Sequence, residues 1–307
     1  MLLFGLPMFA LYGLGRGERQ RHIMVPLRPL LPLLSVAAIL LSLLWLAAVC
    51  ATMAGTDILQ LDRATIDMVA TQTSLGTAWQ VRMGALAASL LLAMLPRRWA
   101  NRPVLLASSL VAGVALATLA WAGHGAAGEE TSGTIQLAAD IMHLLAAGVW
   151  IGALIAFTLL LMRAYAMSVQ ENGSAQENGR LEEHIAATHH ALETFSVTGS
   201  IVVGLLIATG QVNSIMLVGI ANAPHLLSSL YGQLLAAKLA LFGIMLLLAA
   251  GNRFRLTPAL ARARIAGNMA TSLAALRRSL LLETGVGLVV LGLVAWLGTL
   301  PPPLSGG

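Results

Sequence analysis

Asp140 and His143 lie three residues apart within an apolar run that covers residues 135–162. A spacing of three places both side chains on one face of a helix. Ionisable groups at membrane depth are costly, and they commonly face a protein interior or a wet cavity where they have a function. The pair therefore indicates a polar site within the membrane. The alternative is a buried hydrogen-bonded pair that only orients two helices.

Copper is the metal that the surrounding residue types favour, because imidazole suits copper and thioether sulfur suits Cu(I). His143 and His124 are the predicted imidazole ligands, and Asp140 is the predicted carboxylate that binds the metal or orients the imidazole. Met142, Met83 and Met216 are weaker candidates. No tight His, Cys or Met spacing motif supports this site, and His124 is alternatively an interface residue beside a tryptophan.

Four further polar residues occur within apolar segments, namely Arg82, Asn213, Lys238 and Glu283. Arg82 and Lys238 either line a common outward-facing cavity or extend to the lipid headgroups. Lys238 has the further alternative of neutralising Asp140, and Asn213 that of bonding across helices. We expect Glu283 to pair with Arg277, Arg278 or a neighbouring helix.

The composition requires a membrane protein. Of the 307 residues, 58% are hydrophobic and 10% are charged, whereas soluble domains have roughly 25% charged residues. The mean hydropathy is +0.82. Continuous apolar runs predict spanning helices rather than the alternating strands of a barrel. We therefore predict an all-α polytopic helical bundle in a lipid bilayer, formed by one domain over residues 1–307. The net charge of +5 does not indicate a nucleic-acid partner.

Eight membrane segments are predicted, at about 1–14, 30–54, 77–95, 104–123, 135–162, 194–218, 232–251 and 279–299. Arginines concentrate in the odd-numbered connections, so these connections are predicted to be cytoplasmic and both termini external, in the periplasm. The first segment is about 21 Å long, short of the roughly 30 Å hydrocarbon core. We therefore expect a truncated first helix whose true start lies upstream.

The polar connections carry three predictions. Residues 56–71 are predicted to form a short helix on the outer surface. Residues 168–193 are predicted to form a flexible loop. Within that stretch, a group of imidazoles and carboxylates is interpreted as a solvated amphipathic lead-in to the sixth segment rather than a metal relay. Its members are Glu182, Glu183, His184, His189, His190 and Glu193.

Several sequence blocks resemble the copper resistance protein D family (CopD/PcoD-like) of integral inner-membrane proteins. They are 5–12 (GLPMFALY), 76–82 (GTAWQVR), 123–124 (GH), 140–152 (DIMHLLAAGVWIG), 209–213 (TGQVN), 231–239 (YGQLLAAKL) and 252–258 (NRFRLTP). Thr194 departs from the arginine expected before Phe195. The resemblance also implies a further histidine in the part of the first helix that this sequence lacks.

The resemblance implies copper handling at a bacterial inner membrane, as Cu(I) or Cu(II), with any CopC-like periplasmic copper-binding partner as a separate chain. We therefore expect copper transport or delivery from a site in the outer half of the membrane. Because no phosphate-binding loop is present, movement of the ion would be passive or linked to protons through groups such as Asp140 and Glu283. Two alternatives stay open: a non-transporting assembly scaffold for a copper enzyme, and a b-type haem electron carrier that uses His143. No set of nucleophile, base and orienting residue predicts an enzyme.

Overall fold

The computed structural model describes residues 1–13, 29–95, 101–122, 130–169, 175–219, 227–266 and 269–300. These ranges contain ten α-helices: α1 (Leu2–Tyr12), α2 (Leu30–Ala54), α3 (Arg63–Gln72), α4 (Ser74–Met94), α5 (Arg102–Ala117), α6 (Glu130–Val169), α7 (Ala175–Val218), α8 (Leu230–Gly251), α9 (Thr257–Ala266) and α10 (Ala270–Leu297). A 3-10 turn at Thr118–Ala122 extends α5, and a π-helical turn at Asn252–Leu256 joins α8 to α9. The predicted all-α fold is confirmed.

Local sequence signals explain where the helices around residue 60 begin and end. Asp62 precedes α3, and its side chain accepts a hydrogen bond from the backbone N–H of Thr65 at 2.8 Å. Thr73 does the same for α4 by accepting from the N–H of Gly76 at 2.9 Å. Such N-caps satisfy donors that have no partner within the helix. Gly55 ends α2 with a φ of 65°, a left-handed conformation that favours glycine.

Six helical segments of the described ranges are long and apolar enough to cross a membrane. They are Leu30–Ala54, Arg102–Ala122, Gly133–Ser168, Gly179–Val218, Leu230–Arg264 and Ala270–Leu297. Helices occur at all eight predicted places, but the count of eight spans is not confirmed. Two of the eight predicted segments are not among these six. They are α1, which is only about 16 Å long, and α4, whose polar residues lower its hydropathy.

The predicted loop at 168–193 is wrong for most of its length. Helix α6 continues to Val169, and α7 already begins at Ala175. Residues 175–193 are rich in Ala, Leu, Glu, Gln and Arg, which favour helices. Ile185, Ala187 and Ala191 are buried along this extension, so an apolar stripe holds it in place. Polarity alone was therefore a poor guide to loop structure.

The chain divides into two compact units, and α6 contributes to both. The first unit contains Met1–Leu11 and Met24–Val149. The second unit contains Tyr12–Ile23 and Trp150–Gly307.

In the first unit, short elements pack closely against the long helices. Helix α3 covers most of the predicted surface helix at 56–71, and its Val69 forms a buried cluster with Leu46 and Cys50. Helix α1 places the ring of Phe4 against Gly148 of α6, where an added Cβ would lie 2.9 Å from the ring. The glycine at position 148 therefore permits the close approach of α1 to α6.

Candidate functional site

Asp140 and His143 lie one turn apart on α6, in the first unit, and both side chains are half-buried. Met142, between them, is 46% exposed, and consecutive residues of a helix point about 100° apart. Met83 on α4 and Met216 on α7 are half-buried. His124 lies outside the described residues. The structure therefore shows the predicted pairing of Asp140 and His143 on one face of α6, while the part of Met142, Met83 and Met216 in a copper site stays a prediction.

Three or more acidic, histidine or cysteine side chains suitable for a metal ion do not come together anywhere in the described ranges. A copper site centred on the α6 pair would thus need ligands of other types, such as methionine sulfur, or ligands from residues outside these ranges. The assignment of His143, Asp140, His124, Met142, Met83 and Met216 as ligands stays a prediction.

Arg82 is buried in the first unit, with only 5% of its surface exposed. Its Nε donates to the hydroxyl of Thr118 at 3.1 Å, and its Nη2 donates to the carbonyl of the same residue at 2.9 Å. The guanidinium also lies 5.0 Å from the ring of Trp45. The alternative in which Arg82 extends to the headgroups is therefore wrong. The guanidinium is instead held where α5 ends, and cations are stabilised at that end of a helix.

Lys238 on α8 and Asn213 on α7 are half-buried and belong to the second unit. Their roles in a common cavity, and the pairing of Lys238 with Asp140, stay predictions.

Glu283 on α10 is buried, with 2% of its surface exposed. Its Oε1 accepts a hydrogen bond from the indole N–H of Trp150 on α6 at 3.2 Å. Its Oε2 accepts from the side-chain amide of Asn252, the first residue of the π-helical turn, at 2.8 Å. Of the three pairings predicted for Glu283, the structure shows the one with neighbouring helices. The guanidinium of Arg277 instead lies 3.7 Å from the ring centre of Tyr165.

The residues around Glu283 are the ones that the sequence analysis missed. Trp150 and Asn252 occur in the family blocks, but neither was singled out. The available signal was Asn252 itself, a polar residue directly after the apolar run of α8. π-Helical turns are rare in proteins, and those that do occur are often found at functional sites. The contacts of Trp150 and Asn252 with Glu283 could not be read from the sequence, because they depend on how α6, α8 and α10 pack together.

The imidazoles at the start of α7 belong to an amphipathic helix, as interpreted. His184 lies on the partly buried side, with its Nε2 3.0 Å from the carbonyl oxygen of Leu160. His189 Nδ1 lies 3.6 Å from Glu193 Oε2, one turn further along α7. His190 is exposed. The His184 contact joins α7 to α6, and His190 and Glu193 are exposed.

Comparison with known proteins identifies the family. Residues 1–134 match the copper resistance protein D-like N-terminal domain, and residues 189–297 match the copper resistance protein D domain. The chain is 38% identical to copper resistance protein D of Pseudomonas syringae pv. tomato over 307 residues, which cover 100% of this chain and 94% of that protein. The chain belongs to the copper resistance protein D family.

A second relative supports the cellular location. Inner membrane protein YebZ of Escherichia coli (strain K12) is 29% identical over 231 residues, which cover 75% of this chain and 70% of that protein. No solved structure matches the chain. Together with the six apolar helical segments of the described ranges, these relatives show a multi-pass inner-membrane protein. The predicted family and localisation are confirmed.

Proposed function

We propose that this chain transports copper across the inner membrane or delivers copper along it, from a site in the outer half of the membrane that contains His143. Its membership of the copper resistance protein D family supports a role in copper handling. The observation that carries the site is the half-buried imidazole and carboxylate on one face of α6. Proton-linked and passive movement are both compatible with these residues. The proposed topology has both termini in the periplasm.

The chemistry of the site follows from the two side chains. A neutral imidazole nitrogen of His143 binds copper, and Asp140 orients the ring or offsets the charge of the ion. His124, Met142, Met83 and Met216 are the proposed additional ligands. Arg82 is the positively charged residue of the first unit that was considered for this site, and its guanidinium donates hydrogen bonds to the hydroxyl and the carbonyl of Thr118. These two hydrogen bonds fix the position of the guanidinium.

Copper binding by purified variants tests the site. His143→Ala is expected to lose most bound copper, because it removes a ligand, and to lower copper accumulation in cells that depend on the protein. Asp140→Asn is expected to weaken copper affinity by about 10–100-fold if the carboxylate orients the imidazole. The matched control is His190→Ala, since His190 is an exposed imidazole on α7 and is not proposed to bind copper.

Unchanged copper binding and accumulation in a His143→Ala protein that inserts normally would rule out this site. Copper flux into liposomes that contain only this chain separates transport from delivery. Flux that is abolished by His143→Ala supports a permease. Copper binding with no flux in wild type supports delivery to a partner, or a scaffold role, and excludes transport by the chain alone.

A further inference from the structure

The buried carboxyl group of Glu283 is held by three separate segments of the second unit. Glu283 itself is on α10, the Trp150 indole comes from α6, and the Asn252 amide comes from the π-helical turn after α8. Both donors are neutral. Burial makes an unpaired charge costly, and a carboxyl group can avoid that cost by taking up a proton. The protonation state of Glu283 is thus open to exchange in a way that an ion-paired carboxylate is not.

The basic residues near Glu283 on α6, α8, the π-helical turn and α10 contact other groups, are exposed, or lie far along their helix. Arg277 lies over the ring of Tyr165. Arg253 is exposed and donates to the hydroxyl of Ser200. Arg163, Arg255 and Arg278 are exposed. Lys238 precedes Asn252 by 14 residues of helix, which is about 21 Å along the axis of α8.

The hydrogen-bonding groups around Glu283 can satisfy both of its protonation states. The indole N–H of Trp150 is only a donor, and it can donate to Oε1 whether or not the carboxyl group carries a proton. The Asn252 amide is both a donor and an acceptor. Its NH2 group donates to Oε2 when the carboxyl group is ionised. Its carbonyl oxygen can accept from a protonated Oε2 after the amide rotates by half a turn.

The buried carbonyl oxygen of the Asn252 side chain is consistent with this arrangement. Asn252 is 6% exposed, and its Oδ1 is buried with no hydrogen-bond donor among the described residues. A buried acceptor in that situation is costly and needs an explanation. Turning the amide would bring Oδ1 to the position from which Nδ2 now donates to Glu283, where it could accept from a protonated Oε2, and would move the NH2 group to the position that Oδ1 now occupies.

We propose that Glu283 is a reversible proton-binding site within the membrane-spanning helices, and that the Asn252 amide turns over as the proton binds and leaves. The ligand is a single proton, taken up as an O–H bond on Oε2 and released from the same atom. Buried carboxyl groups of this kind form the proton relays of membrane transporters. The π-helical turn supports this role, since Asn252 is buried in it while Arg253 and Arg255, on either side of Phe254, are exposed. This proposal goes beyond copper handling and does not require it.

Infrared difference spectroscopy of the purified protein in lipid, recorded between acid and alkaline pH without copper, tests the proposal. All 13 acidic residues contribute carboxylic acid C=O stretching bands on acidification, so the wild-type spectrum is compared with that of Glu283→Gln, which keeps the size and an acceptor oxygen. One component, which appears on acidification and disappears on return to alkaline pH, should be present in wild type and absent in Glu283→Gln. Asp140→Asn, which alters the other carboxyl group within an apolar run, should retain it. Labelling the glutamate carboxyl carbons with ¹³C should shift this component, which assigns it to a glutamate rather than to an aspartate.

A component that distinguishes wild type from Glu283→Gln but stays constant over the whole pH range would overturn the proposal, because Glu283 would then be fixed in one state. Identical difference spectra for wild type and Glu283→Gln would also overturn it. Asn252→Leu tests the amide separately. Removal of the acceptor should shift the frequency of the Glu283 acid band, and an unchanged frequency would refute the role of Asn252. Copper binding by Glu283→Gln should equal that of wild type, so failure here is distinguishable from failure of the copper site.

Discussion

Arg82 offers a sharp test of whether a buried cation in this protein is structural. The substitution Arg82→Met keeps an unbranched apolar stem but removes the guanidinium, with its two hydrogen bonds to Thr118 and its contact with the Trp45 ring. Hydrogen bonds within membranes contribute about 0.6–1.5 kcal/mol each, and a cation–π contact adds roughly 0.5–1 kcal/mol. The sum predicts a loss of about 2–4 kcal/mol of unfolding free energy.

Reversible unfolding in bicelles measures this loss. Thr118→Val removes the hydroxyl acceptor but leaves the backbone carbonyl, so it should cost about 1 kcal/mol. The matched control is Arg102→Met, because Arg102 is exposed at the start of α5 and should change stability by no more than about 0.5 kcal/mol. An Arg82→Met protein that lies within about 0.5 kcal/mol of wild type would refute the reasoning. That result is what an arginine extended into the headgroups would give.

Two further predictions concern the short elements of the first unit. Gly76→Ala should lower the free energy of unfolding by about 1–3 kcal/mol or more in a thermal unfolding assay, because the added Cβ would overlap the backbone carbonyls of Val69 and Ala70. The control is Gly84→Ala, in open space on the same helix, which should be neutral or stabilising by up to about 1 kcal/mol. Equal effects of the two substitutions would contradict this packing. The hydrogen bond from Thr65 lowers the pKa of Asp62. The cap therefore stabilises α3 fully at pH values above the ordinary aspartate pKa, and this stabilisation is lost as the pH falls through the lowered pKa of the folded state. The protection of the α3 amides, corrected for the pH dependence of intrinsic exchange, should therefore fall on acidification in wild type but not in Asp62→Asn. Protection that does not depend on pH in wild type would count against the cap.

Apolar pattern alone located the helices. Helices α2 and α8 begin and end within about two residues of the runs at 30–54 and 232–251, and α10 ends within about two residues of the run at 279–299 but begins nine residues before it. That success has a simple cause, because a long apolar run can satisfy its backbone in lipid only as a helix. The extension of α7 back to Ala175 was missed for the opposite reason. Its polar residues are compatible with either loop or helix, and the burial of Ile185 on that extension is a tertiary property.

The candidate site shows the same division. The shared face of Asp140 and His143 follows from a spacing of three on α6. The fate of Arg82 does not follow from its position, since an arginine at that depth can reach either the headgroups or an internal acceptor. The carbonyl of Thr118 decides between them, and this residue is 36 positions away in the chain.

By itself, the sequence determined the solvent and the chemical repertoire of this protein: a lipid bilayer, helices across it, and a small set of imidazole, carboxylate and thioether groups within them. Those properties depend on residue type and on spacing within one helix, which the linear order contains. Tertiary structure alone decided the partners of the buried polar groups. Glu283 meets Trp150, which is 133 positions away, and Asn252, which is 31 positions away. Which distant side chains meet depends on how helices pack, and many packings are compatible with the same pattern of apolar segments.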